Sequence, residues 1–311
     1  MAPSRRQEPT VEYLAADKNF LKIEEEAFSA YAACRFVIQP APYEHTSSYR
    51  TGSKDGPEAM IRASHYVELY DEELNQETYR QGGICTLPPL DFTGRVDEAA
   101  VVLIEERMSR LLADGKFPIM LGAEHTATLG TVRAFRKQFP RLAVLQIDAH
   151  SDLRADYEGN RYSHASVMAR VQELGVPLVQ VGIRAQCREE AERIRASTAI
   201  HTLYAHQLRS RPRAEWIGEV VRHLAEDVYV TVDADGFDPS IVPAVGTPEP
   251  NGLAWEEALT LVQAVCANRR VVGFDVVELA PLPKSTVSEY TLAKFVYKFI
   301  GLVTRADGRR A

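Results

Sequence analysis

LAVLQIDAHSDLR at 142–154 and VYVTVDADGFDP at 228–239 decide how this chain folds. Each begins as a run of apolar and β-branched residues of strand length and then breaks into acidic residues spaced two apart. Side chains of an extended chain alternate between faces, so Asp148, His150 and Asp152 point the same way while the strand continues, as do Asp233 and Asp235. Working outward, strand-like runs stand at 35–39 (RFVIQ), 117–121 (FPIML), 178–183 (LVQVGI) and 271–277 (VVGFDVV). Helical patterns separate them. In the one at 97–114, Ala100, Leu103, Ile104, Met108, Leu111 and Leu112 recur at helical spacing and Gly115 follows as a stop; others lie at 163–174, 213–226, 254–267 and 288–303. Parallel strands need crossover connections, so this alternation predicts a parallel sheet with helices on both faces. Ligands of such a sheet bind outside the carboxyl ends of its strands. Both acidic rows fall there, and so does His125, which follows FPIML in GAEHT.

The 311 residues are 45% hydrophobic, 25% charged and 8% aromatic, which suits either one large globular domain over 1–311 or two ordinary ones and excludes collagen, coiled coil and global disorder. Residues 1–33 read as an N-terminal extension packed on that domain or leading into it. With 36 basic against 43 acidic residues, a net charge of −7 and no Lys/Arg block, no nucleic-acid partner is expected. The opening MAPSRRQEPTVEYLAADKNF is charged throughout, and no run of about 18 uncharged apolar residues occurs, so neither a secretory signal nor a membrane span is expected. Cys34, Cys85, Cys187 and Cys266 lie far apart without metal-ligand spacing, and isolated thiols of this kind suit a reducing cytoplasm.

Asp148, Asp152, Asp233 and Asp235 brought together without a cation would repel one another strongly. Two divalent ions would neutralise them. Four carboxylates and two imidazoles, His125 and His150, with no thiolate, suit Mn²⁺ better than a structural zinc, and they do not exclude Ni²⁺. Two such ions hold a bridging water and lower its pKa, giving hydroxide near neutral pH. Either acidic row alone would read as a cap, a turn or a solvated pair. Their coincidence at successive strand ends with GAEH points to a site.

In these stretches the chain resembles the ureohydrolases, the family of arginase and agmatinase. The resemblance is carried by GAEHTATLG at 122–130, QIDAHSDLR at 146–154, YSHASVM at 162–168, TVDADGFDPSIVPAVGTPEPNGL at 231–253 and FDVVELAP at 274–281, with TSSYRTGSKDGPEAMIRAS at 46–64 similar to that family's entry into its first helix. It implies a three-layer α/β/α fold of the arginase/deacetylase type, one domain over 1–311 with a mostly parallel eight-stranded sheet, and a homotrimer or homohexamer. It also implies two Mn²⁺ per chain, one held by His125, Asp148, Asp152 and Asp233 and the other by Asp148, His150, Asp233 and Asp235. Asp152 would in addition orient the bridging hydroxide, Glu278 would bind the guanidinium of a small cationic substrate, and His164 would relay protons. The chemistry fits these roles: a guanidinium carbon is a poor electrophile that needs a metal-made hydroxide and a carboxylate to align it, and histidine moves protons near neutral pH. Two positions depart from the family pattern, Ala123 in GAEH and Ala280 in ELAP, and both are expected to reshape the substrate floor.

The loop LRADYEGNRYSH at 153–164 lacks the residues with which arginases read an α-amino acid and looks like that of prokaryotic agmatinases. The favoured reaction is therefore agmatine plus water to putrescine plus urea, a step of polyamine biosynthesis, with Asp156 and Glu158 as candidate receivers of the distal amine. Two alternatives stay open. One is a ureohydrolase for another guanidine (guanidinobutyrate, an aminopropyl agmatine or guanidine itself), for which Arg154 and Arg161 would suit a carboxylate-bearing substrate. The other is a non-catalytic regulatory homologue, against which the complete ligand set argues.

Overall fold

Strands that are largely apolar on both faces need cover on both. Residues 11–309 are described by the computed structural model, and they meet that need with an eight-stranded sheet between two helical layers. The strands are Phe36–Ala41 (β1), Ile84–Thr86 (β2), Phe117–Gly122 (β3), Leu142–Ile147 (β4), Leu178–Ile183 (β5), Ile200–Tyr204 (β6), Asp227–Asp233 (β7) and Arg270–Val277 (β8). They lie in the order β2-β1-β3-β8-β7-β4-β5-β6, and every pairing is parallel.

The principal helices are Gly56–Ser64 (α1), Glu98–Ala113 (α2), Ala127–Gln138 (α3), Val167–Glu173 (α4), Arg188–Ala196 (α5), Arg213–His223 (α6), Trp255–Asn268 (α7) and Val287–Gly308 (α8). On one face of the sheet Ile38, Ile119, Leu145 and Val230 pack in a core with Met60, Trp216, Val262, Phe295 and Phe299 from α1, α6, α7 and α8. On the other, Val37, Met120, Val144 and Tyr229 share a core with Ile104, Met108, Phe135 and Met168 from α2, α3 and α4. The helix expected over 97–114 ends as its sequence requires: Gly115 takes φ +70, its N–H donates to Leu112 O, and the Lys116 N–H donates to Leu111 O, a Schellman closure.

Elements that sequence patterning passed over are short or weakly patterned. β2 has three residues, β6 is an edge strand of mixed polarity, α5 (REEAERIRA) is mostly charged, and α3 carries Gly130 and several β-branched residues. Residues 1–10 of the expected N-terminal extension lie outside the described residues. Within the rest of it, Phe20, Leu21 and Ile23 are buried in the first core. Among the described residues no disulfide forms, and no helix is long and apolar enough to cross a membrane.

The topology sets the site. The chain lays down β3, passes outward through β4, β5 and β6, and then returns to insert β7 and β8 between β3 and β4. The four central strands are thus those followed by GAEH, the DAHSD row, the DAD row and Glu278, and all four open at one sheet edge.

Candidate metal centre

β4 stops at Ile147 and β7 at Asp233, so the acidic residues leave their strands almost at once. The expectation that Asp148, His150 and Asp152 share one extended face is therefore corrected. Asp152 has φ +53, which curls the row back over the strand end, and a 3₁₀ turn at Ala234–Gly236 brings Asp235 round beside Asp233. Backbones meet closely here. A Cβ on Gly236 would stand 2.9 Å from Asp148 N, and one on Gly182, itself at φ +97, would stand 3.1 Å from Asp148 O. Only glycine fits at either place.

Two groups of candidate ligand atoms result, His125 with Asp148 and Asp233, and Asp148 with His150 and Asp235. His125 Nδ1 lies 3.1 Å from Asp148 Oδ2, 2.9 Å from Asp152 Oδ2 and 3.4 Å from Asp233 Oδ2. His150 Nδ1 lies 2.9 Å from Asp235 Oδ2 and 3.8 Å from Asp148 Oδ1. Asp148 thus turns one oxygen to each group, the posture of a bridging carboxylate.

The hydrogen bonds around His125 decide what fits between these groups. Thr231 Oγ1 donates its single proton to Asp275 Oδ1 at 2.6 Å and so accepts from His125 Nε2–H at 2.9 Å. That assignment leaves a lone pair on His125 Nδ1, an atom that is fully buried and has no hydrogen-bond partner although three carboxylates face it. A lone pair among carboxylates is repulsive unless positive charge sits between them, and a divalent ion supplies it. The same deficit is visible in the acid-base balance of the metal-free groups. Burial and like charge push Asp148 up, Asp233 well above the carboxylate range, and Asp152 to about 7. Against its burial, Asp235 is held down at about 2 by His150, which in turn rises to about 11 against its own burial through Asp235. His125, too, rises well above the imidazole range in spite of its burial, because its carboxylate neighbours favour the proton. Bound cations would relieve the charge of these six side chains.

The remaining candidates line the same cavity, a hollow bordered by His125, His150, Asp152, His164, Asp233, Asp235 and Glu278. Glu278 Oε1 accepts the His125 N–H at 2.7 Å, and burial pushes its carboxyl well up, Glu124 adding to the effect. Its backbone sits at φ +63, a conformation that costs about 1–3 kcal/mol outside glycine. Burial, then the nearby His150 and His125, press His164 down to about 4, so its imidazole is neutral near pH 7.

Several expectations do not reach the cavity. Asp156 and Glu158 are exposed and outside its lining, and Arg161 is committed to Glu173 at 2.7 Å. Ala123 and Ala280 are buried but not in the lining; their backbones serve as acceptors, Ala123 O for Glu278 N and Ala280 O for the Arg50 guanidinium. They do not form the substrate floor. Arg154, stacked on Tyr157, does border an adjoining hollow.

Patterning overlooked the supports beneath the ligands. Gln146 donates to Asp148 Oδ2 at 2.8 Å and accepts from Gln180 Nε2 at 2.7 Å, and Thr202 donates to Gln180 Oε1 at 2.7 Å, a polar ladder across β4, β5 and β6. Asp275 accepts hydrogen bonds from the hydroxyls of Thr128, Tyr229 and Thr231. The Arg184 guanidinium fastens the loop after Asp235 through the carbonyls of Asp235, Phe237, Glu249 and Pro250. Polar residues inside otherwise apolar strands were the available signal.

The sequence profile described as the arginase family matches residues 34–301. An N(1)-aminopropylagmatine ureohydrolase of Synechocystis sp. is 41% identical over 93% of this chain and 95% of its own length. An agmatinase of Bacillus anthracis is 36% identical, covering 85% of this chain and 90% of its own. Among solved structures, the agmatine ureohydrolase of Thermoplasma volcanium superposes with a TM-score of 0.80 at 32% identity, covering 92% of this chain and 95% of its own.

Proposed function

Because the chain belongs to the arginase family and is a ureohydrolase acting on guanidino groups, we propose that it releases urea from an agmatine-type substrate, free or aminopropylated, at a pair of Mn²⁺ ions. The observation that carries this reading is one cavity bordered at once by both candidate metal groups, His164 and Glu278. His125, Asp148, Asp152 and Asp233 would hold one ion, and Asp148, His150, Asp233 and Asp235 the other. Bound there, the ions supply a hydroxide at neutral pH. Glu278 presents its carboxylate to the guanidinium and aligns its carbon, while the buried walls exclude competing water. His164, neutral at this pH, takes a proton and passes it to the departing amine nitrogen.

The groove bears on the length of the substrate. Past His150, Asp152 and His164 the cavity continues into a second hollow bordered by Arg154, Tyr157, Gln186 and Thr247, and an aminopropyl extension would run into it. The 41% identical relative bears that substrate's name, and the agmatinase relatives favour agmatine itself as the second reading. A panel of guanidines with Mn²⁺ added, followed by urea release, tests the assignment. N1-aminopropylagmatine and agmatine should exceed arginine in kcat/KM by at least ~10²-fold, since arginine would bury a carboxylate beside acidic groups without its partners. Equal rates on arginine would refute it. Preference for guanidinobutyrate, lost in Arg154→Ala, would assign a carboxylate-bearing substrate instead.

His164→Ala should lower kcat by ~10² to 10⁴, the range of general acid-base catalysis, with metal content intact. A wild-type rate in this variant would make His164 structural.

A further inference from the structure

Glu124 is fully buried between Ala123 and the candidate ligand His125, yet it turns away from the metal groups. Its carboxylate accepts hydrogen bonds from the backbone N–H groups of His45, Thr46 and Ser47 and from the hydroxyl of Thr46, at 2.8 Å. Four donors from three successive residues converge on one buried acid. They fasten the loop after β1 over the cavity, and that loop carries the neighbours of His164. Thr46 Oγ1 lies 3.0 Å from His164 Nδ1 and accepts the His164 backbone N–H at 3.1 Å. Ser48 Oγ lies 3.4 Å from Nε2.

Donor counting fixes the direction of this chain. A hydroxyl has one proton, and a carboxylate can only accept, so the Thr46 proton goes to Glu124. Thr46 Oγ1 then has only lone pairs to offer His164. Nδ1 must carry the imidazole proton, which leaves Nε2 as the lone pair, with the Ser48 hydroxyl free to donate to it.

We infer that Glu124 and Thr46 are positioning residues that lock His164 in its Nδ1–H tautomer, so that Nε2 is the atom through which it handles the proton of guanidine hydrolysis. The inference rests on the function proposed above and deepens it. In that reaction one proton of the attacking water ends on the departing amine nitrogen. Nε2 takes it up and gives it back, and the histidine is returned unchanged.

Glu124→Gln is the decisive variant. The amide keeps the shape and can still accept from the loop, but its NH₂ would donate to Thr46 Oγ1 and free the threonine proton to face Nδ1. That favours the opposite tautomer. The expected result is a loss of ~10²-fold or more in kcat, toward the ~10⁴ seen when a catalytic histidine is held in the wrong tautomer, with KM and bound metal near wild type. Thr46→Val, which leaves Glu124 in place, should lose kcat likewise, and Thr46→Ser should restore most of it. Rates are read on whichever guanidine the wild-type protein turns over, so a wrong substrate assignment leaves the test standing. The double variant with His164→Ala separates mechanism from structure: Glu124→Gln should cost little further once His164 is gone. An equal loss in both backgrounds, or full activity in Glu124→Gln and Thr46→Val, would overturn the inference alone. Wild-type activity in His164→Ala would overturn it together with the proton-handling role proposed for His164.

Discussion

Asp148→Asn is expected to abolish urea release and to leave fewer than two metal ions per chain, because Asp148 turns one carboxylate oxygen to each candidate ligand group. The same change should raise the melting temperature of the metal-free protein. It removes one negative charge from a fully buried cluster whose carboxyls are already pushed up by burial and by one another. Elemental analysis and calorimetry with and without Mn²⁺ check both halves; two ions retained in the variant would sink the two-metal reading. A pH dependence accompanies it. The Asp152 carboxyl, raised by burial and then by Asp148, ionises near pH 7 in the metal-free fold but near 3.9 when unfolded. The folded state therefore binds the extra proton, and this contribution to stability is complete below about pH 4 and lost as pH rises through about 7. Metal-free protein should melt lower at pH 7.5 than at pH 5, and Asp152→Asn should lessen the difference.

Glu278→Gln is expected to reduce kcat/KM by ~10² to 10⁴, equivalent to the roughly 3–5 kcal/mol lost when one partner of a buried ion pair is removed. Glutamine keeps the side chain's shape and can still accept the His125 N–H, so metal content should stay at the wild-type level. The loss then belongs to the guanidinium. A reduction of less than tenfold would mean that another group aligns the substrate.

What could be read in the sequence was whatever repeats or departs from a pattern. β4 and β7 announce themselves as apolar runs ending in acid, and their side chains do meet at the centre of the sheet. The order of strands in that sheet has no local signature, since β7 and β8 enter the centre only because the chain has first gone outward. Nor does strand periodicity describe the site itself. Asp152 and Glu278 reach it through left-handed backbone, which alternation along a strand cannot foresee. Thr231, Asp275 and Gln146 were hidden for another reason: each lies within a strand, Thr231 and Gln146 holding candidate ligands and Asp275 holding Thr231, rather than facing the cavity. Glu124 stood in plain view beside His125, yet its partners lie 77 to 79 residues earlier, a distance no motif spans.

The outward-and-back course of the chain has a consequence for how the protein is made. During synthesis the segment through His125, Asp148, His150 and Asp152 emerges long before Asp233 and Asp235. The early segment has no central partner strand for β3 or β4 until β7 and β8 arrive to fill the gap. A ribosome-bound chain halted before β7 holds two of the three residues of each candidate metal group and a split sheet. For the same reason, two polypeptides cut at the loop before α6 would each carry an incomplete centre, and metal capture would report their reunion.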